Sequence, residues 1–289
     1  MKANTLNNSA AVPSAAKSNW FDRLLSPQIL APIAVGLIML TLWEVGVRVT
    51  NTPPYLLPGP ILVLQTLFQQ WGTLFPSLLI TLKITVFAFI AAVVSGLLVA
   101  VLFTQSKWVE RSFFPYAVVL QTTPIVAIAP LIILWVRQLV PGDSSTFVAL
   151  VVCAWIVAFF PILSNTTMGL NSADHNLTNL FQLYKASRWQ TLLHLQLPSA
   201  MPYFLSGLRI SGGLSLIGAV VAEFVAGTGG TQSGIAYQIL MASFNLQIPL
   251  MFAALLMTTM LGVIIFVVLT LLSDYLLRNW HESAVKREN

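Results

Sequence analysis

Charged residues are scarce in this chain, and their scarcity excludes an ordinary soluble fold. They make up 8% of the 289 residues, and apolar residues make up 57%. A soluble domain carries roughly a quarter charged residues. The mean hydropathy is +0.83, so most of the apolar surface must face lipid. Because a helix satisfies its own backbone polar groups in lipid, we expect an all-α membrane protein. We interpret the net charge of +5 as the excess of basic residues in the cytoplasmic loops of a membrane protein, more than as a sign of nucleic-acid binding.

The sequence also lacks the motifs of several kinds of site. The only cysteine, Cys153, lies in an apolar run, which excludes a disulfide and a cysteine metal cluster. The three histidines have no metal-ligand spacing, and neither H-E-x-x-H nor G-x-S-x-G occurs. G-x-x-x-x-G-K-[ST] is also absent, so any ATP would be bound by another chain. We therefore predict no catalytic residue, no metal and no cofactor in this chain.

Six apolar stretches are close to the ~20 residues that cross a bilayer. The predicted spans are about 29–49, 78–103, 112–136, 146–164, 203–226 and 250–272. Four prolines and a glycine in residues 51–60, NTPPYLLPGP, forbid a regular helix there. Residues 28–277 form the predicted membrane domain. Residues 1–27, predicted to be disordered, and residues 278–289 are predicted cytoplasmic tails.

Lysine and arginine are distributed unevenly between the two sides of this topology. Eleven lie on the side of both termini and of the loop between spans four and five, and three lie on the other side. Cytoplasmic segments of membrane proteins carry such an excess. We therefore predict a multi-pass protein of the plasma membrane with both termini in the cytoplasm. The eleven are Lys2, Lys17, Arg23, Lys107, Arg111, Lys185, Arg188, Arg209, Arg278, Lys286 and Arg287, and the three are Arg48, Lys83 and Arg137.

The segment 174–198 between spans four and five predicts a helical hairpin, which we call the coupling hairpin. Leu177, Leu180, Phe181 and Tyr184 fall at i, i+3, i+4 and i+7, one stripe of a helix. Asp174 is placed to cap this first helix. A second helix is predicted to start at Ser187, with Gln190 completing a capping box, and to end at Pro198 and Pro202. Amphipathicity leaves two alternatives open: docking to a cytoplasmic partner, or lying on the bilayer surface.

Two places in the spans hold polar side chains at membrane depth. Gln121, Thr122 and Thr123 precede Pro124 in the third span, where we expect a kink that lines a pore. Glu223 lies near the outer end of the fifth span. A carboxylate there is costly unless it is paired or wet. It either faces a translocation path or pairs within the bundle to fix the packing of the helices.

Part of the coupling hairpin, KASRWQTLLHLQLPSAMP, resembles the EAA motif of permease subunits of binding-protein-dependent ABC importers. When the two are aligned on Leu197 and Pro198, the chain has residues of the same type in the second half of the motif and different types in its first half. Four further stretches, YLLPGP, QTTPIVAIAPLIILW, SGLRIS and VVAEFVAG, are similar to the nitrate, taurine and alkanesulfonate branch. The resemblance covers roughly residues 50 to 275. In this alignment Leu195 occupies the isoleucine position of the motif and Lys185 occupies its glycine position. The positions of its Glu-Ala-Ala triplet are occupied by Asn179, Leu180 and Phe181.

The resemblance implies a six-transmembrane-helix type I permease fold and a function in ATP-driven import. Two permeases would form a pore, two copies of a separate ATPase would dock on the hairpin, and an external binding protein would deliver a small solute. The positions implied for ATPase docking are Asn179, Leu180, Phe181, Lys185, Ala186, Ser187, Arg188, Trp189 and Leu192, and those for the path are Gln121, Thr122, Thr123, Pro124 and Glu223.

Several alternatives stay open at the level of sequence. A gradient-driven secondary transporter is the second candidate, although such proteins often have internal repeats and buried ionisable residues. An intramembrane enzyme would need a nucleophile with a base, or paired carboxylates. The resemblance to that branch suggests a sulfonate, a nitrate-like anion or a heterocyclic vitamin precursor as the solute. The permease pair is predicted to be a homodimer, and the altered EAA half leaves room for an asymmetric partner.

Overall fold

The computed structural model describes residues 27–142, 144–227 and 233–278. The predicted tails and most of the Gly-rich stretch 227–234 lie outside these ranges. Every regular element within them is helical, as the composition predicts. In chain order the helices are α1 Pro27–Val49, α2 Pro60–Gln69, α3 Trp71–Gln105, α4 Lys107–Thr122, α5 Ile125–Leu139, α6 Ser144–Leu170, α7 His175–Leu183, α8 Arg188–Ala226, α9 Ile235–Phe244 and α10 Ile248–Leu277.

Among the described residues, five helices are long and apolar enough to cross a membrane: α1, α3, α6, α8 and α10. The bent pair α4 and α5 raises the number to six, in agreement with the predicted fold class. Helix α1 lies in a compact unit that ends at Thr52, and the other helices lie in a second unit that begins at Pro53. Residues 51–59 hold turns and irregular backbone with no helix, as their prolines predict.

The third predicted span is not one continuous helix. Helices α4 and α5 meet at 103° around Thr123 and Pro124. Thr123 has an extended backbone, with φ −71° and ψ 124°. Proline has no N–H to donate and disfavours the helical conformation of the residue before it. Pro124 therefore ends α4, and a new helix starts after it.

The second helix of the coupling hairpin does not end at Pro198 and Pro202, so this prediction is wrong. It continues into the fifth span as α8, one helix of 39 residues. Residues Leu192–Gln196 form a π turn, in which Leu197 N–H donates to the carbonyl of Leu192 five residues earlier. The register changes in this wider turn, and Pro198 falls in the first turn of the α-helical stretch that follows. Pro198 therefore directly follows the change of register, and Pro202 lies inside the α-helical stretch.

Helices α6 and α8 pack along a seam of small residues. A Cβ built on Gly218 would lie 2.8 Å from Ala154 Cα, and one on Gly207 would lie 2.9 Å from the Pro161 carbonyl. Between these contacts the Ser211 hydroxyl donates to the Ala158 carbonyl at 2.7 Å. Small residues let membrane helices approach at backbone distance. The seam therefore holds α8 against α6 over much of its length.

Two apolar clusters mark the ends of the second unit. Phe103, Leu170 and Leu192 belong to the cluster at the end where the coupling hairpin lies, which we call the hairpin end. At the other end, the far end, α2, α3, α9 and α10 contribute Leu67, Leu74, Ile239 and Met257. Helix α8 runs from one end to the other.

The seam predicts that Gly218→Ala destabilises the protein and that Gly213→Ala does not. The Cβ at 218 would meet backbone atoms, whereas a Cβ at 213 on the same helix meets nothing within 4 Å. We expect a loss of about 1–3 kcal/mol for Gly218→Ala, measured as a lower midpoint of thermal unfolding in detergent. Equal midpoints for the two variants would contradict the close packing.

Candidate functional site

The first helix of the coupling hairpin, α7, begins at the predicted cap. The Asp174 carboxylate accepts from the N–H groups of Asn176 at 2.7 Å and Leu177 at 3.2 Å. These donors have no partner within the helix, so the carboxylate replaces the missing acceptor. The predicted N-terminus of α7 is confirmed.

The turn between the hairpin helices is closed by Lys185 in a left-handed conformation, with φ +53°. Lys185 N–H donates to the Gln182 carbonyl at 2.9 Å, and Ala186 N–H donates to the Phe181 carbonyl at 2.9 Å. This pair of bonds is the Schellman motif, in which glycine is usual at the left-handed position. A lysine there costs roughly 1 kcal/mol or more. The glycine position of the EAA motif thus keeps its backbone geometry without glycine.

The second hairpin helix begins with the predicted capping box, which is confirmed. The Ser187 hydroxyl accepts from Gln190 N–H at 3.3 Å, and the Gln190 side chain accepts from Ser187 N–H at 2.7 Å. Two N–H groups at the helix start are satisfied reciprocally. The hairpin is therefore fixed locally at both helix starts and at its turn.

The exposed side of the hairpin forms an apolar cleft with a polar rim. The cleft has a volume of about 450 Å³ and is lined by Leu180, Phe181, Tyr184, Ala186, Gln190 and His194. Tyr184 is 81% exposed and Trp189 is 65% exposed. Asn179, Lys185, Ser187 and Arg188 are also exposed. Eight of the nine predicted docking residues therefore lie at the surface or line this cleft.

The ninth, Leu192, does not lie at the hairpin surface. It is 1% exposed and packs in the apolar cluster of the hairpin end, with Phe103 and Leu170. Leu192 N–H donates to the Arg188 carbonyl in the regular α-helical pattern. Its side chain is buried because α3 and α6 pack over it, which helical periodicity alone does not predict. Tyr184, Gln190 and His194 line the cleft without having been predicted to do so. The i+7 position of Tyr184 on the apolar stripe was the available signal.

The bend between α4 and α5 brings the predicted path residues to one cleft. Gln121, Thr122, Thr123 and Pro124 line a space of about 310 Å³, together with Leu120, Ile125, Ile156, Val157 and Leu214. The hydroxyls of Thr122 and Thr123 both donate to the Val119 carbonyl, at 3.1 and 2.8 Å. No charged side chain is among the residues that line this cleft.

Glu223 lies apart from that cleft, at the far end of α8, and is 4% exposed. Its Oε1 accepts from the Thr81 hydroxyl at 2.7 Å, and its Oε2 accepts from Ala236 N–H at 3.0 Å. Thr81 is fully buried, and its hydroxyl oxygen accepts from Ile235 N–H at 2.9 Å. The carboxylate thus joins α8, α3 and α9. Of its two predicted roles, this geometry favours pairing within the bundle.

Thr81 is the partner that sequence reasoning missed. It is a polar residue near the start of the second predicted span, and nothing in the sequence pairs it with Glu223. In the part of the chain that the structure describes, no group of three or more histidine, cysteine or acidic residues could hold a metal ion.

Comparisons with known proteins agree with this architecture. A family profile described as binding-protein-dependent transport system inner membrane component matches residues 92–282. The chain is 33% identical over 253 residues to the formylaminopyrimidine transport permease protein ThiX of Halalkalibacterium halodurans, covering 87% of this chain and 96% of that protein. It is 31% identical over 259 residues to the riboflavin transport system permease protein RibX of Chloroflexus aurantiacus, covering 89% and 92%.

The nitrate, taurine and sulfonate branch is also represented. A putative aliphatic sulfonates transport permease protein, SsuC of Bacillus subtilis, is 29% identical over 282 residues, covering 96% of this chain and 91% of that protein. Among solved structures, a chain of the MetNI methionine ABC transporter in inward-facing conformations has the same fold. The TM-score is 0.61 at 17% identity, covering 74% of this chain and 99% of that chain.

The family match and the nitrate, taurine and sulfonate relatives confirm the predicted branch and type of subunit. The matched residues 92–282 include the coupling hairpin, the polar cleft and Glu223. The chain belongs to the inner membrane components of binding-protein-dependent transport systems and is a transmembrane permease subunit of an ABC importer.

Proposed function

We propose that the chain lines the path of a small heterocyclic solute, and that its coupling hairpin transmits the ATPase cycle to this path. The observation that supports the coupling role is the exposed apolar cleft of the hairpin. Leu180, Tyr184 and Trp189 expose apolar area that a soluble partner would cover. The hairpin continues into α8 without a break, so a force on the cleft reaches a membrane-spanning helix directly.

The orientation of the chain follows from this role. Lys107, Arg111, Lys185 and Arg188 lie at or beside the hairpin end. An excess of such residues is typical of the cytoplasmic side. The hairpin and both termini would then be cytoplasmic, the hairpin would meet the ATPase there, and the far end would meet the external binding protein. The basic residues of the hairpin favour an acidic rim on the ATPase.

A second copy of this chain would complete the path. The cleft beside Pro124 is walled by α4, α5, α6 and α8, and Gln121, Thr122 and Pro124 remain exposed in the single subunit. Two copies facing each other would enclose a solute between two such elbows. Two permeases present two hairpins, and hence two ATPase sites. We therefore propose a homodimer of permeases with two ATPase subunits.

The chemistry of the cleft supports an uncharged heterocycle as the solute. Gln121, Thr122 and Thr123 donate and accept hydrogen bonds, and the other lining side chains are apolar. An anion in a membrane interior needs a paired cation, and the side chains of this cleft supply none. Two relatives that are at least 30% identical over 87% and 89% of this chain are named for the transport of formylaminopyrimidine and riboflavin, both of which are heterocycles.

Cysteine crosslinking tests the docking role of the hairpin. In a Cys153→Ser background, we expect Trp189→Cys and Tyr184→Cys to crosslink to the co-expressed ATPase in membranes, and ATP to change the yield. The matched control is Phe244→Cys at the end of α9, which is 72% exposed but lies at the far end. Leu192→Cys is expected to react poorly because its side chain is buried.

If only Phe244→Cys crosslinked to the ATPase, the far end and not the hairpin end would be cytoplasmic. Absence of any ATPase from the purified complex would contradict the docking role itself. A gradient-driven carrier would then be the function to test.

Uptake into cells that express the whole transporter tests the solute class. We expect uptake of a labelled pyrimidine or flavin that a hundredfold excess of taurine or nitrate does not reduce. Gln121→Leu should lower this uptake, because leucine has a similar volume but cannot form hydrogen bonds to the solute. The crosslinks from Trp189→Cys to the ATPase should remain. Competition by the anions would contradict a neutral solute.

A further inference from the structure

The buried contacts at the far end of α8 form one closed set of hydrogen bonds across three helices. Glu223 on α8 accepts from Thr81 on α3 and from Ala236 N–H on α9, and Thr81 accepts from Ile235 N–H on α9. We call Glu223, Thr81 and the first two N–H groups of α9 the far-end latch. Its two side chains are 4% and 0% exposed.

The latch serves the N-terminus of α9. Gly234, the residue before this helix, has no side chain to cap it. The first N–H groups of any helix lack acceptors within that helix, and in a membrane interior such groups must find partners. Here the partners come from the other two helices. A Cβ on Gly234 would overlap the Glu223 carboxylate, so the absence of a side chain lets the carboxylate approach.

The latch is also attached to the hairpin. Helix α8 is continuous from Arg188 to Ala226. The 35 residues from Arg188 to Glu223 correspond to about 50 Å at 1.5 Å per residue. Just beyond the carboxylate, Gly227 ends α8 in a left-handed conformation, with φ +56°. The last turn of α8 therefore carries the carboxylate that holds α9.

We propose that Glu223 is a positioning residue of the transport cycle, fixing the far end of α8 to α9 and α3 so that a displacement of the hairpin moves α9. This inference rests on the proposed coupling role of the hairpin. Glu223 acts here through α9 and does not contact the solute. The solute contacts the polar cleft beside Pro124, and Glu223 is not among the residues that line this cleft.

Substitutions at Thr81 separate this role from simple packing. Thr81→Val keeps the volume and removes the hydroxyl that both donates to Glu223 and accepts from Ile235. Thr81→Ser keeps the hydroxyl and loses a methyl group. The matched control is Thr85→Val, one turn further on α3. Thr85 is equally buried, at 2%, and its hydroxyl donates to the Thr81 carbonyl of its own helix at 2.8 Å.

The measurement uses the complete complex with its ATPase and needs no solute. Phe244→Cys in a Cys153→Ser background reports on α9 through its rate of labelling by a membrane-impermeant maleimide. The rate is compared without nucleotide and after trapping with ATP and vanadate. We expect a nucleotide-dependent change of rate in the parent, Thr81→Ser and Thr85→Val. We expect its loss in Thr81→Val and Glu223→Ala, and an intermediate change in Glu223→Gln, whose amide oxygen still accepts one bond.

Each outcome has a defined meaning, because every variant is also tested for crosslinking from Trp189→Cys to the ATPase in a separate preparation. Loss of the α9 response with the crosslinks retained supports the latch. An equal response in Thr81→Val and Thr81→Ser, or an α9 rate that nucleotide does not change in the parent, overturns the latch and leaves hairpin docking intact. Absence of crosslinks in the parent overturns the docking on which the inference rests.

Discussion

A backbone N–H or carbonyl without a partner is costly in a bilayer core, and this constraint explains where the helices of this protein are regular and where they are not. Within the described residues, three departures from a straight α-helix stand out. At Pro124 the chain leaves one helix and begins another at 103°. At Leu192 a π turn precedes Pro198, and α8 continues without a break. At Lys185, on the exposed hairpin where water can also satisfy polar groups, a lysine adopts positive φ and closes a turn in which two carbonyls accept hydrogen bonds.

The same constraint relates the hairpin to the far end of the bundle. Because the π turn replaces a break, the hairpin and the fifth span are one helix, with an exposed apolar cleft at its start and a buried carboxylate at its end. The small-residue seam holds this helix against α6 between those two points. Movement along or about the helix axis is then the simplest way for an event at the hairpin to reach α9.

Much of this architecture could be predicted from the sequence, because long apolar stretches and local caps depend on neighbouring residues alone. The caps at Asp174 and Ser187 and the disruption at Pro124 were predictable for that reason. The burial of Leu192 was not, because it depends on packing against α3 and α6. The continuity of α8 was not, because proline usually ends a helix and the π turn before Pro198 has no simple residue signature. The partner of Glu223 could not be predicted from the sequence either, since Thr81 lies 142 residues away in the chain. Only the packing of α3 against α8 brings the two together.

The most direct test of the continuous helix is a pulsed electron-spin distance measurement within α8. Spin labels would replace Trp189 and Ile217, which are 65% and 55% exposed, in a Cys153→Ser background. Their separation of 28 positions along the helix corresponds to about 42 Å at 1.5 Å per residue. A single narrow distance, unchanged between the nucleotide-free and vanadate-trapped complexes, is the predicted result. A shift of that distance, or a second population on trapping, would show that the π turn bends as a hinge and would contradict transmission through a rigid helix.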